Sequence, residues 1–114
     1  DGLRVAAGDG LQLFDHLRMH LAEPHNLDTL AEHCLMSRRT FTRRFQRATG
    51  LSVGEWLLAE RLRRSQELLE TSSHSMDRIA ELVGLRTAAI LRQHFRTRFG
   101  VSPSEWRRTF GGLR

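Results

Sequence analysis

Apolar residues recur at three- and four-residue spacings along the chain, and no segment alternates with period two. That period belongs to amphipathic helices, so the chain reads as all-α with no sheet. Residues 11–22 form the first helix, with Phe14, Leu17 and Leu21 inward and Pro24 ending it. Further on, the pattern occurs twice. Asn26-Leu27-Asp28-Thr29-Leu30-Ala31-Glu32 matches Ser75-Met76-Asp77-Arg78-Ile79-Ala80-Glu81 at an offset of 49. Gly50-Leu51-Ser52-Val53-Gly54-Glu55-Trp56 matches Gly100-Val101-Ser102-Pro103-Ser104-Glu105-Trp106 at an offset of 50. The second copy therefore carries one extra residue between Ala80 and Thr87, in the turn that holds Gly84. A turn tolerates such an insertion easily.

Each copy predicts a short helix, a tight turn, a second helix, a glycine stop and a new helix. Asn26, Ser37, Ser75 and Thr87 are N-cap types, and Gly50 and Gly100 suit the left-handed residue that closes a helix. Ser52-x-x-Glu55 and Ser102-x-x-Glu105 have the spacing of capping boxes, and Pro103 suits a first helical position. From Val53 a helix runs without Pro or further Gly beyond Gly54 to Thr71, with apolar positions at Trp56, Leu57, Leu62, Leu68 and Leu69. At ~1.5 Å per residue it is a strut of roughly 27 Å. The expected layout is about seven helices. Residues 1–10, with three Gly, are a linker stub; 11–52 form one helix-turn-helix subdomain, 53–71 a linker helix and 72–114 a second helix-turn-helix subdomain.

Charge changes this picture from a fold to a candidate function. Among 114 residues, all 18 basic ones are Arg, and the net charge is +5. Guanidinium pairs bidentately with phosphate and with guanine, so a small Arg-only domain points to a polyanion. Stepping 100° per residue from Phe41 places Phe45 and Ala48 inward and Arg39, Thr42, Arg43 and Gln46 outward, with Arg38 and Arg47 on the flanks. From Leu91 the same step places Phe95 and the stem of Arg98 inward, with Ala89, Arg92, Gln93 and Arg96 outward. Residues 37–49 and 86–104 contain no Asp or Glu, whereas a merely solvated helix face usually mixes signs. Two acid-free, Arg-bearing faces, each behind a short helix and tight turn, match the needs of a major-groove reader. Arg can grip guanine, Gln can pair with adenine, and Thr or Ala methyls can meet thymine.

These positions carry a resemblance. The run from Ala31 through Ser37, Phe41-x-x-Arg44-Phe45 closed by Gly50, Arg61-Leu62, Ile79-Ala80, Gly84, Phe95-x-x-x-Phe99-Gly100 and Ser102-Pro103 together resemble the paired helix-turn-helix domain of the AraC/XylS family of bacterial transcription regulators. The likeness covers residues 11–110. Two positions depart from the family pattern: Leu85 follows Gly84 where Phe is usual, and Leu91 replaces an aromatic one turn before Phe95. The wording from Ala88 to Phe95 is similar to the branch whose members carry an amidotransferase-like sensor domain N-terminal to the DNA reader. The resemblance implies binding to a double-stranded DNA operator, contact with RNA polymerase, a sensor domain outside this chain and a cytoplasmic, nucleoid-associated location, with no cofactor and no membrane partner. It places base contacts on Arg39, Thr42 and Arg43 in the first reader and on Ala88, Ala89, Arg92, Gln93 and Arg96 in the second. Gln46 is suggested by the helical face alone. Ser37, Arg38, Arg47, Arg86, Thr87 and Arg98, with nearby helix-start amides, are the phosphate candidates. The two readers carry different side chains, so one domain should recognise an asymmetric site of two boxes about one helical turn (~10 bp) apart. The alternative from another class is a helical protein-interaction module of anti-activator type.

Other motifs read as structure. Gly50-Leu51-Ser52-Val53-Gly54 fits the serine-hydrolase elbow, but a helix rather than a strand precedes it, and Ser52 is a cap. No catalytic group is assigned. His16 and His20 stand four apart, yet a stable metal site needs two more ligands, so none is assigned. Cys34 is the sole cysteine, which excludes an intrachain disulfide and suits a reducing, intracellular setting. Trp56 and Trp106 are equivalent core anchors, and His94, on the flank of the second reader, is within the expected reach of phosphate.

Overall fold

A computed structural model describes residues 10–112, so most of the expected linker stub lies outside the described residues. The described residues form seven helices and no strand: α1 (Gly10–Met19), α2 (Leu27–His33), α3 (Arg38–Thr49), α4 (Val53–Thr71), α5 (Met76–Val83), α6 (Ala88–Phe99) and α7 (Pro103–Phe110). The chain divides into two compact units, Asp1–Leu58 and Ala59–Arg114, with α4 contributing residues to both.

The first unit closes on an apolar core. Leu13 and Leu17 of α1, Leu30 of α2, Phe41 and Phe45 of α3 and Trp56 of α4 are all buried there. The buried stripe of α1 runs through Leu13, Leu17 and Leu21, whereas Phe14, expected inward, is half-buried at its edge, its ring centroid 5.6 Å from Phe45 and 5.3 Å from Trp56. α1 also stops at Met19; residues 20–22 continue as a turn before Pro24, so the helix ends earlier than the proline requires.

In the second unit, Leu62 and Leu69 of α4, Ile79 and Val83 of α5, and Leu91 and Phe95 of α6 are fully enclosed. Leu85 and Leu91, the two departures from the resembled pattern, are both buried. Ser65 is also enclosed, and its hydroxyl donates to the Leu62 carbonyl at 2.6 Å, which removes the penalty of an unmet buried donor. Trp106 Nε1 donates to Glu70 at 2.9 Å, and the Arg107 guanidinium donates to the carbonyls of Leu69 (3.3 Å) and Ser72 (3.1 Å). These bonds fasten α7 to the end of α4 and satisfy carbonyls that a helix terminus leaves open.

The caps follow the sequence. Asn26 Oδ1 accepts from the amides of Asp28 and Thr29; Ser37, Ser75 and Thr87 each accept from the amide three residues on. Both capping boxes close, and Gly50 and Gly100 have φ of 77° and 79°. The tight turns of the two copies share one hydrogen-bond pattern. Met36 N donates to the Ala31 carbonyl and Leu85 N to the Ala80 carbonyl, both at 2.9 Å, the long bond of a Schellman motif. The left-handed residue inside that motif is Gly84 in the second copy (φ 93°), but Leu35 in the first (φ 60°). The left-handed region costs a side-chain-bearing residue about 1–2 kcal/mol. Leu35 is 77% exposed, so little packing offsets that cost. Leu35→Gly is therefore expected to stabilise the first unit by about 0.5–1 kcal/mol, after the larger unfolded-state entropy of glycine is counted. Urea unfolding checks it; a fall in midpoint would show that the Leu35 side chain makes contacts that outweigh its backbone cost.

Candidate nucleic-acid interface

α3 and α6 are positioned alike. Each starts on a hydroxyl cap behind a Schellman turn, buries an aliphatic or aromatic pair four residues apart (Phe41 and Phe45; Leu91 and Phe95), and stops at a left-handed glycine. The buried pair fixes the rotation of the helix about its axis, and so decides which side chains face outward.

On α3, Arg38, Arg39, Arg43, Arg44, Gln46 and Arg47 are exposed, and Thr42 is half-buried between them. Arg39, Arg43 and Arg47 follow one another at four-residue intervals and so form a single cationic stripe. On α6, Ala89, Arg92, Gln93, Arg96 and Arg98 are exposed, and Arg86 and Thr87 are exposed just before the helix. His94 is half-buried on the same helix.

Three placements differ from expectation. Ala88 is 6% exposed and belongs to the core, so it has no free methyl to offer a base. Ala48, expected inward, is exposed, as is Arg98 at the equivalent position, of which only the stem is expected inward. The final turns of α3 and α6 extend past Phe45 and Phe95, where facing inward by angle no longer brings cover. Arg44 is exposed too, adding a cation that the helical-face reading left out.

Electrostatically, the outward faces are nearly pure positive charge. Among the described residues two ion pairs touch them: Arg38 with Asp28 of α2 at 3.7 Å, and Arg96 with Glu105 of α7 at 3.6 Å. Arg39, Arg43, Arg44, Arg47, Arg92 and Arg98 have no acidic partner among the described residues. Like charges four residues apart destabilise a helix by a few tenths of a kcal/mol per pair. The Arg39–Arg43–Arg47 stripe is therefore a small structural liability that the fold does not offset locally. The acids Glu60 and Glu67 are instead engaged on α4 by Arg63 and Arg64, at 2.8–3.1 Å.

The remaining titratable cluster lies in the first unit, away from the outward face of α3. His16, His20, His25 and His33 line a crevice of about 630 Å³ with Asp15, Glu23 and Met19. His20 Nδ1 donates to Glu23 Oε2 at 2.6 Å and His25 Nε2 to the His20 carbonyl at 2.9 Å. Partial burial, then the neighbouring His20 and His25, hold the His16 imidazole below its ordinary pKa. Among the described residues no three His, Cys, Asp or Glu side chains are grouped to hold a metal ion. Nor, among them, is any helix long and apolar enough to cross a membrane.

Comparison with known proteins agrees with this geometry. A helix-turn-helix domain family matches residues 30–109. The transcriptional activator RhaR of Pectobacterium carotovorum is 34% identical over 98 residues, which is 86% of this chain and 34% of that protein. The Msm operon regulatory protein of Streptococcus mutans is 33% identical over 82 residues, 72% of this chain and 30% of that protein. This chain thus spans about a third of the length of the curated relatives it matches. Among solved structures, the DNA-binding domain of the global transcriptional factor AdpA, determined with a target DNA, superposes with a TM-score of 0.83 at 39% identity, covering 91% of this chain and 94% of that one. An AraC-type regulator from Chromobacterium violaceum superposes with a TM-score of 0.82 at 25% identity, covering 96% and 100%.

Proposed function

The chain belongs to the AraC/XylS-type family of helix-turn-helix transcriptional regulators, and from that premise we propose that it reads duplex DNA with α3 and α6 as its two recognition helices. One observation carries the reading: two equivalent helices, each held by the same cap, turn and buried pair, present outward faces rich in Arg and free of Asp and Glu. The likeness to AdpA, whose DNA-binding domain was solved on a target duplex, supports it.

In this reading Arg39, Thr42, Arg43 and Gln46 meet base edges in one major groove, and Ala89, Arg92 and Gln93 in another; Arg96, expected at a base edge, is drawn by its pairing with Glu105 toward the start of α7 and is read as a phosphate neighbour. Ser37, Arg38, Arg44, Arg47, Arg86, Thr87 and Arg98 serve the phosphates, where charge sets affinity but carries no sequence information. Because the two sets differ, the selected site is asymmetric, with guanine favoured beneath Arg39 or Arg43. Control by an N-terminal sensor and contact with RNA polymerase, in the cytoplasm, belong to the same proposal and rest on the family. No catalytic role is assigned to any side chain.

Selection of binding sites from random duplex DNA tests the reading. The expected product is a non-palindromic motif whose affinity falls steeply with salt, the log–log slope reporting the phosphates neutralised. Arg47→Ala should weaken all sequences alike and make that slope about 0.9 shallower. A palindrome within one domain's footprint would contradict the two-reader assignment. No enrichment, together with salt-insensitive capture of a protein, would favour an interaction module instead.

A further inference from the structure

The second reader carries one contact that the first lacks. Position 96 corresponds to 46 in the repeat, and Glu105 to Glu55. Glu105 closes the capping box of α7: its Oε1 accepts from Ser102 N at 2.8 Å, and its own amide donates to Ser102 Oγ at 3.1 Å. That same Oε1 lies 3.6 Å from Nη1 of Arg96. In the first unit Glu55 makes the same two capping bonds to Ser52, at 2.9 and 3.1 Å, but Gln46 offers it no charge. The carboxylate of Glu105 is thus held beside Arg96 by its capping bond to Ser102 N.

We propose that Glu105 is a positioning residue that holds Arg96 back from DNA phosphate, so that the second reader attracts DNA less than its composition suggests. The proposal rests on α6 facing DNA, as argued above. The pair sits at the surface, with side chains 66% and 46% exposed, where an ion pair contributes little to folding. Its larger consequence is competition: a phosphate can claim Arg96 only by displacing a carboxylate already in place. The hydrogen bond from the Ser102 backbone, before any other cause, holds the Glu105 carboxyl below the usual range, so it is charged at neutral pH. Each reader has one paired arginine, but among the described residues the Asp28 carboxylate that meets Arg38 is not tied into a cap, whereas that of Glu105 is. Arg39, Arg43, Arg44 and Arg47 are left without an acidic partner in the first reader, and Arg86, Arg92 and Arg98 in the second. Sequence-independent attraction by the second reader is then lower than its arginine count implies. A muted second reader limits trapping on unrelated DNA, where phosphate attraction supplies nearly all the affinity.

Glu105→Gln separates the two roles of this side chain, because the amide oxygen still accepts from Ser102 N while the charge on Arg96 is released. Binding of the chain to its selected site and to random duplex is measured across a salt series, with thermal melting as the check on the cap. On random duplex the variant is expected to bind about twofold to fivefold more tightly than the parent, with a log–log slope steeper by about 0.9. Affinity for the selected site rises less, so the specificity ratio falls. In an Arg96→Ala background the same change should not steepen the slope, whereas any effect of a weakened cap would appear in both backgrounds. An unchanged slope in Glu105→Gln, with a parent that binds DNA in a salt-dependent way, would overturn the proposal and leave Glu105 a cap. A parent without salt-dependent affinity would overturn the DNA reading itself.

Discussion

Phe45→Ala is expected to cost the first unit about 3–5 kcal/mol, the range for removing a buried aromatic ring from a close-packed core. Phe45 is 1% exposed, and its ring lies 5.6 Å from Phe14, 6.0 Å from Phe41 and 6.1 Å from Trp56, centroid to centroid. It is the one ring in contact with the other three, so alanine leaves a void that α1, α3 and α4 would all have to close. Small domains have only about 5–15 kcal/mol of stability in total, so a large part of it goes. Urea denaturation followed by far-UV circular dichroism reads the loss. Phe45→Leu, which keeps most of the volume, should cost under about 1.5 kcal/mol. A cost below about 1 kcal/mol for the alanine variant would mean that α3 is not held by its aromatic contacts.

Arg43→Ala, two residues away on the same helix, should do the reverse: hardly touch the fold and strongly affect recognition. Arg43 is exposed, has no acidic partner among the described residues, and stands between Arg39 and Arg47 on one stripe. Removing it relieves two like-charge repulsions, so the melting temperature should hold or rise slightly. Affinity for the selected site should fall by about 1–3 kcal/mol, roughly 5- to 150-fold, and preference should relax at one base position. The pairing of these outcomes is diagnostic. A structural arginine would lose stability together with binding, whereas a base-reading one loses binding alone. If motif and affinity both survive Arg43→Ala, α3 does not read bases through this side chain.

Much of this architecture could be read from one-dimensional signals because those signals are local. An N-cap acts over three residues, a Schellman glycine over five, and a buried stripe over one or two turns. Hence Asn26, Ser37, Ser75 and Thr87 mark the helix starts where they are observed, and α4 runs from Val53 to Thr71 as its lack of breakers implies. The misses arise where local rules give way to three-dimensional context. Period alone allows the α1 stripe to centre on either Phe14 or Leu13, and bulk favours the wrong one. Ala88, a base position by resemblance, is buried. Angle around the axis misplaces Ala48, because angle says nothing about where the covering helices end. Leu35 in a left-handed conformation carries no sequence mark at all; it becomes visible only by alignment with Gly84 across the repeat. The Arg96–Glu105 pair joins two helices across the Gly100 stop, beyond the range of any helix rule.

The closed environment of Cys34 has a practical consequence. The chain's one thiol is enclosed with the first unit's core, at 3% exposure, and thiolate chemistry requires access to solvent. A maleimide added in excess is therefore consumed only as fast as that unit opens, so the protein carries its own clock for local breathing. Timed with and without duplex, the clock would show how far a bound operator slows the opening of the segment just ahead of α3.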